Sequence, residues 1–444
     1  MNTQASEREW FSQILAENRQ VLADDNQSWL EQTRQQARAS LELLPLPNRK
    51  QETWHYTDFS QLYAKNFYSQ TVPVTGMDID DIDTWIYPET ESYRLVFVNG
   101  QCVPGLSNIE QLPASIKIGS LRAALSTDKQ VITDTLSKRH DRQDDVFSAL
   151  NRALLNDGLF IHVGADAVVP RPVEVVYLNI NFEHHTLSQP HSLVILEPGA
   201  VLKLVEHHTS TGSADYFFNG INEIILGENA RMEHYSLQQE SSNAHHINRH
   251  QVQQQRASDY RAWHIASGGG WNRTDVNVDF AGTQANCELQ GLYTAGSGQY
   301  TDIHLDVQHS LPACRSRENY RGIVHGKGRA VFDGRIVVAK DAQGSDASLS
   351  NRNLLLSENA EIDTKPQLEI YADDVKCAHG TTVGRLDPQQ VFYLCSRGIP
   401  EPEARRMLCM GFAEQILATV EDERLHKFML KEVTDKLQQQ EVDA

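Results

Sequence analysis

Cysteine is scarce in this chain. Its 444 residues include six cysteines, Cys102, Cys287, Cys314, Cys377, Cys395 and Cys409. They are widely spaced and none forms a C-x-x-C pair. That excludes a disulfide framework and argues against a zinc or cluster site closed by cysteines of this chain alone. Positive charge is also in deficit, with 40 Lys and Arg against 59 Asp and Glu and a net charge of −19. A field of that sign repels phosphate backbones, and no local basic patch reverses it, so nucleic acid is not an expected partner. Long apolar runs are missing as well: no stretch approaches the roughly 18 residues a membrane span requires. The opening MNTQASEREWFSQ has no apolar segment of signal length. The expectation is a cytoplasmic protein with no membrane association.

Catalytic signatures are absent too. There is no G-x-x-x-x-G-K-[ST] phosphate loop; the nearest approach, Gly322 to Gly328, has the wrong spacing and lacks the magnesium-binding hydroxyl. Gly268-Gly269-Gly270 runs into Trp271 within a strand-like region and reads as a loop. Neither a G-x-S-x-G elbow nor an H-E-x-x-H zinc pair occurs. The chain is expected not to be an enzyme.

What is present is an ordinary share of apolar (40%) and charged (22%) residues, enough for a folded core. The first part reads helical: apolar residues fall three and four apart over Trp10–Leu15 and Trp29–Leu44, until Pro45 and Pro47 end the pattern. A short helix is expected over Asp144–Leu155, closed by Asp157-Gly158. From about residue 159 the periodicity becomes two. Val276, Val278 and Phe280 face one way and Asn277 and Asp279 the other. Ile303, Leu305 and Val307 oppose His304, Asp306 and Gln308, and Leu368 and Ile370 oppose Glu369 and Tyr371. An Ala-x-apolar-charged unit recurs at Ala200, Ala230, Ala285, Ala330 and Ala360, usually after turn residues. Its unequal intervals suit the rungs of a solenoid with variable loops. Helical pattern is nearly absent there, which disfavours a sheet with helical crossovers. It returns after Pro400, where Ala404, Leu408, Phe412, Ile416 and Val420 lie four apart behind Glu401 and Glu403, with a last helix over Arg424–Leu437. The fold class expected is mainly β: an α-rich domain over 1–158, a right-handed parallel β-helix over 159–385, and a helical domain over 386–444.

Among chemistry-bearing groups, the doublets His184-His185, His207-His208 and His245-His246 cannot chelate through both rings on a strand, because neighbours face opposite sides. Cys377-Ala378-His379 differs. Positions i and i+2 share a face, so a thiolate and an imidazole can meet one soft ion there, with Asp373 and Asp374 just upstream. Two side chains leave such a site half built, and a buried thiol beside a hydrogen-bonded histidine is the plainer reading. The helix after Glu401 has two uses open to it, capping the solenoid's own end or docking a partner, and they are compatible.

Several strings together resemble the SufB/SufD family of the SUF system. They are Leu46 to Thr57 (LPNRKQETWHYT), Arg94 to Gly100 (RLVFVNG) followed by Val103-Pro104, Gly326 to Asp333 (GKGRAVFD), Asp363 to Asp387 (DTKPQLEIYADDVKCAHGTTVGRLD) and Phe392 to Ile399 (FYLCSRGI). Thr364 to Glu369, close to Lys376-Cys377 and His379-Gly380, places the likeness on the SufD side. The resemblance implies a non-catalytic scaffold in iron–sulfur cluster assembly, pairing with SufB through the β-helix and binding the SufC ATPase through the C-terminal helices. In that picture a cysteine desulfurase system supplies sulfur indirectly, and a homodimer is an alternative in isolation. It implies no intrinsic cofactor. A transient iron–sulfur cluster would form at the SufB interface, and a flavin on the assembled complex is compatible. His379 matches the SufD histidine implicated at that interface and Cys377 a neighbouring cysteine. Arg397, Gly398, Ile399, Leu408 and Phe412 are the partner-binding candidates.

Two readings from other classes remain. A β-helix can be a polysaccharide lyase or hydrolase, for which Asp302, Asp306, Asp333 and Asp341 supply carboxylates but no compact acid/base pair. A stand-alone iron or sulfur carrier is disfavoured by the sparse cysteines.

Overall fold

The computed structural model describes residues 3–19, 28–70, 76–82, 92–136, 145–181 and 184–439. Its centre is a parallel β-helix of about eight turns, in which successive strands go alternately to two facing sheets. The first sheet runs from Tyr93–Val98 through Val173–Asn179, Val201–Ser210, Arg231–Gln239, Asp259–Ala266, Asn286–Ala295, Arg315–Val324 and Asp346–Leu355 to Lys376–Gly384. The second runs from Ile116–Ser120 through Leu159–Val163, His191–Leu196, Tyr216–Leu226, His245–Gln254, Trp271–Phe280, Tyr300–His309 and Arg329–Val338 to Glu361–Ile370. Pairing is parallel along both, except that Ile116–Ser120 joins Leu159–Val163, and the short Gln101–Cys102 joins Tyr93–Val98, antiparallel. The strands Tyr93–Val98 and Ile116–Ser120 thus enter the solenoid sheets from within the first 158 residues.

Alternation puts every second side chain into the space between the sheets. Val276, Val278, Phe280, Ile303, Leu305 and Val307 belong to that core, as the period-two pattern requires. The corner before six consecutive first-sheet strands, Val201–Ser210 to Asp346–Leu355, repeats one device: a residue with positive φ, then a small buried one. The pairs are Gly199-Ala200, Asn229-Ala230, Ala257-Ser258, Gln284-Ala285, Ala313-Cys314 and Gly344-Ser345. The alanine repeat of the sequence is therefore only part of this ladder, because Ser258, Cys314 and Ser345 fill the same corner. Ala330 and Ala360 belong to second-sheet rungs and to different register positions, Ala330 pairing with Ile362.

The described α-helices flank the solenoid, most of them packed on its outer faces. They are α1 (Thr3–Asn18), α2 (Ser28–Leu43), α3 (Ser60–Tyr63), α4 (Leu121–Thr127), α5 (Lys129–Leu136), α6 (Val146–Ala153), α7 (Pro388–Ser396), α8 (Glu401–Leu417) and α9 (Glu423–Gln439). Helix α6 starts at Asp145, whose carboxylate caps the amides of Phe147 and Ser148; Asp144 lies outside the described residues. Trp10, Phe11 and Ile14 of α1, with Trp54, Phe59 and Phe147, pack on the outward Phe217, Ile247 and Trp271 of the second sheet. On the opposite flank Cys409, Ala413, Ile416, Leu417 and Val420 of α8 and its end, with Leu425 and Met429 of α9, cover Val205, Tyr235, Trp263, Leu292 and Ile323 of the first. At about 1.5–3 kcal/mol per large apolar side chain, these flanks add substantially to the core.

Two expectations change here. Helix α8 does not cap the end of the solenoid but lies along its flank, because the outward apolar residues sit on the middle rungs. Its buried face takes only part of the four-spaced row: Ala404, Ile416 and Val420 are buried, Leu408 and Phe412 are half-buried, and Cys409, Ala413 and Leu417 are buried beside them. At 3.6 residues per turn a strict row of fours drifts around the helix, so contact passes to neighbouring positions.

Candidate functional site

The last two strands, Glu361–Ile370 and Lys376–Gly384, form the far end of the β-helix. Among the described residues each pairs on one side only, with Arg329–Val338 and Asp346–Leu355 respectively. Among the described residues no α-helix covers them, and their side chains are half-buried or exposed where the inward side chains of the preceding rungs are mostly buried. Two unpaired strand edges and an open stack of inward side chains face outward together.

Register decides which side chains fill that opening. Cys377 pairs with Ala347 and His379 with Leu349, both core residues, so Cys377 and His379 continue the inward columns of the solenoid. They share a face as i and i+2 on a strand, with Cα atoms about 7 Å apart. Cys377 is half-buried, and burial pushes its thiol up, aided by the carboxylates of Asp346 and Glu318. The upstream Asp373 and Asp374 sit in the turn before the strand; the Asp374 amide donates to Gln343 Oε1 at 2.8 Å. His379 is exposed, and its ring makes no hydrogen bond or ion pair with any described residue. Across the opening Thr364 Oγ1 lies 3.0 Å from Thr381 Oγ1 and donates to Asn351 Oδ1 at 2.9 Å. A soft ion at Cys377 and His379 would have two ligands from this chain and an open side toward whatever covers the end.

The C-terminal partner candidates sit elsewhere. Arg397 is the C-cap of α7, donating to Tyr393 Oη at 2.9 Å, and Gly398 takes φ +87° in the turn into α8. Ile399 and Leu408 are half-buried, and Phe412 lies under the Arg321 guanidinium at 4.6 Å from the ring centroid. Phe392 is 74% exposed and Tyr393 55%, the most open large aromatic groups of α7.

A cleft of about 720 Å³ opens on the outer face of the second sheet, and local periodicity gave no sign of it. Register stacks Arg249, Asp275, His304, Asp333 and Lys365 into one column, in which basic and acidic side chains alternate. Burial alone would push the Asp275 carboxyl up, but Arg273 and Arg249 outweigh it and hold that group well below the carboxylate range. Glu52 bonds to Lys365 and, at 3.0 Å, to Gln367, while Arg273 lies 3.8 Å over the Trp54 ring. The N-terminal string around Trp54 and the Thr364–Glu369 string, remote in sequence, are thus two sides of one contact. Three of the four carboxylates weighed for sugar chemistry are tied up here, and Asp341 lies outside the cleft. Asp302 pairs with Arg273 at 3.2 Å and His304 at 2.7 Å, Asp306 with Arg335 at 2.7 Å, and Asp333 with Lys365 at 3.7 Å. The signal that could have found the cleft is the outward polar residues recurring at matching positions of successive rungs.

Comparison with known proteins covers both halves of this architecture. A model described as SUF system FeS cluster assembly, SufBD core domain, matches residues 179–412, and one described as SufBD protein N-terminal region matches residues 5–175. An iron–sulfur cluster assembly SufBD family protein of Synechocystis is 32% identical over 91% of this chain and 90% of its own length. The iron–sulfur cluster assembly protein SufD of Escherichia coli is 32% identical over 88% of this chain and 89% of its own, and that of Bacillus subtilis 27% identical over 92% and 94%.

Proposed function

The chain belongs to the SufBD family, and from that premise we propose that it is the SufD-type scaffold subunit of a complex for SUF iron–sulfur cluster assembly. The observation that carries this reading is the open end of the solenoid, where two unpaired edges frame Cys377 and His379. An exposed, flat, partly apolar sheet edge is a pairing surface, and a SufB chain with the same β-helix offers a complementary edge. Pairing there would extend both sheets across the subunits and set His379 and Cys377 against ligands from SufB, completing a site this chain holds by half. A second copy of this chain presents the same edges, so a homodimer in isolation would use the same surface.

For the SufC ATPase, the α7–α8 elbow is the docking site under this reading, with exposed Phe392 and Tyr393 beside Arg397, Gly398 and Ile399. Leu408 and Phe412 would act from below, holding the elbow on the solenoid. The absence of a phosphate loop in this sequence agrees with ATP being handled by that separate subunit. No described helix is long and apolar enough to cross a membrane.

The test is co-expression with the SufB and SufC chains of the same organism. Leu368→Asp, at the open end, is expected to abolish recovery of SufB, and Phe392→Asp to abolish recovery of SufC, each leaving the other contact intact. Recovery of both partners by both variants at wild-type yield would overturn the assignment of surfaces.

A further inference from the structure

Inside the solenoid, far from the open end, Glu206, His234 and His250 come together, with one ligand atom from each within 4.8 Å of the others. Glu206 and His234 point inward from adjacent first-sheet strands, and His250 reaches across from the second sheet. All three are at most 1% exposed. His234 Nε2 lies 2.7 Å from Glu206 Oε2, and its Nδ1 is held by the Tyr260 hydroxyl at 2.9 Å. Asn222 Nδ2 reaches Glu206 Oε2 at 3.4 Å and His250 Nδ1 at 3.2 Å. A fourth ring, His264, packs 5.3 Å from His250 and 6.3 Å from His234, anchored through Nδ1 to the Tyr320 hydroxyl at 2.8 Å.

Asn248 Nδ2 also lies 3.4 Å from His250 Nε2, yet hydrogen bonds inside the protein satisfy only part of this cluster. Glu206 Oε1 and His264 Nε2 are buried without a partner, and a buried polar atom left unpaired is costly. Orphaned lone pairs around a histidine–carboxylate group are what a missing cation would satisfy. The anchors also match a metal site's outer partners: with the Tyr260 hydroxyl on Nδ1, the His234 ring is fixed with Nε2 directed at Glu206.

We infer that Glu206, His234 and His250 form a two-histidine, one-carboxylate site for a divalent first-row transition-metal ion, with His264 as the adjacent fourth donor. Two imidazoles and a carboxylate suit Fe(II), Co(II) or Zn(II), and fit neither an all-oxygen calcium site nor a soft thiolate site. It is separate from Cys377 and His379 in place and in chemistry. The few cysteines do not bear on it, since none is a ligand. Because the site is enclosed, the ion enters as the chain folds, and binding adds to folding stability.

The probe is Co(II), supplied during expression of the full chain, followed by metal analysis and visible absorption of the purified protein. The expected result is about one Co(II) per chain, with d–d bands and no thiolate charge-transfer band. Glu206→Gln keeps the shape and removes the charge; it is expected to lower occupancy by about tenfold or more, as His250→Ala does. The double variant Cys377→Ser, His379→Ala is expected to retain the ion and its spectrum. Wild-type protein without Co(II), a folded Glu206→Gln protein with undiminished Co(II), or loss only in the double variant would each overturn the assignment. If His250→Ala fails to fold, Glu206→Gln decides alone, with circular dichroism as its folding control.

Discussion

The middle rungs and the last rung of this β-helix are built from the same alternating strands yet differ in what surrounds them. Between residues 201 and 324 both outer faces carry helices and the inward side chains are almost all sealed. From Glu361 to Gly384 the same inward columns end in Thr364, Leu368, Cys377, His379 and Val383 with no described strand stacked on them. Val383 is 45% exposed and Ile370 41%. A strand's alternation specifies a buried face, and whether that face is buried by the chain itself depends on what stacks next. In the middle the partner is the next rung; at the end no described strand supplies one.

The largest stability effect is expected in the middle. Phe280 is fully buried against His309, and Phe280→Ala should cost about 3–5 kcal/mol in urea unfolding. Leu368→Ala, at the open end, should cost under about 1 kcal/mol in the isolated chain while weakening recovery of SufB. Equal costs at the two positions would break the contrast between sealed and open rungs.

Proton linkage sharpens it next. Glu318 is buried in the same inward column as His379, separated from it by Leu349, and burial pushes its carboxyl up from 4.5 to about 8. The folded chain therefore holds a proton between those values that the unfolded chain has released. Stability should fall as pH rises from about 4.5 to about 8 and then level, by roughly 5 kcal/mol at most. Glu318→Gln should flatten that slope in denaturation curves taken across this range; an unchanged slope would assign it to other groups.

On the outer face, Lys365→Ala removes a partly exposed pairing with Glu52. It should lower stability by less than about 1 kcal/mol and leave far-UV dichroism unchanged. The smallest expected effect is that of His379→Ala, within about 0.5 kcal/mol of wild type because the ring has no internal partner. The same change should leave the complex with SufB and SufC intact while impairing maturation of iron–sulfur proteins in cells, and Cys377→Ala should be milder. Normal maturation in the His379→Ala strain would remove that residue from the chemistry.

Much of this was legible in order of residues alone. Alternation at Val276, Val278 and Phe280 marked strands and their inward face, and spacing alone put Cys377 and His379 on one side of a strand. The strings around Trp54 and from Asp363 to Asp387 carried the family. All of these are local, because a strand's two-residue period and a short motif are complete within a few residues. Three things only the tertiary structure decided: that α8 lies along the flank and leaves the end open, that Glu52 meets Lys365 and Gln367, and that Glu206, His234 and His250 converge inside. Each depends on register between rungs and on packing across two sheets, and those are set by corner geometry and loop length. Ser258, Cys314 and Ser345 stand where the eye expects alanine, so the sequence shows that the chain coils without showing which rungs lie face to face.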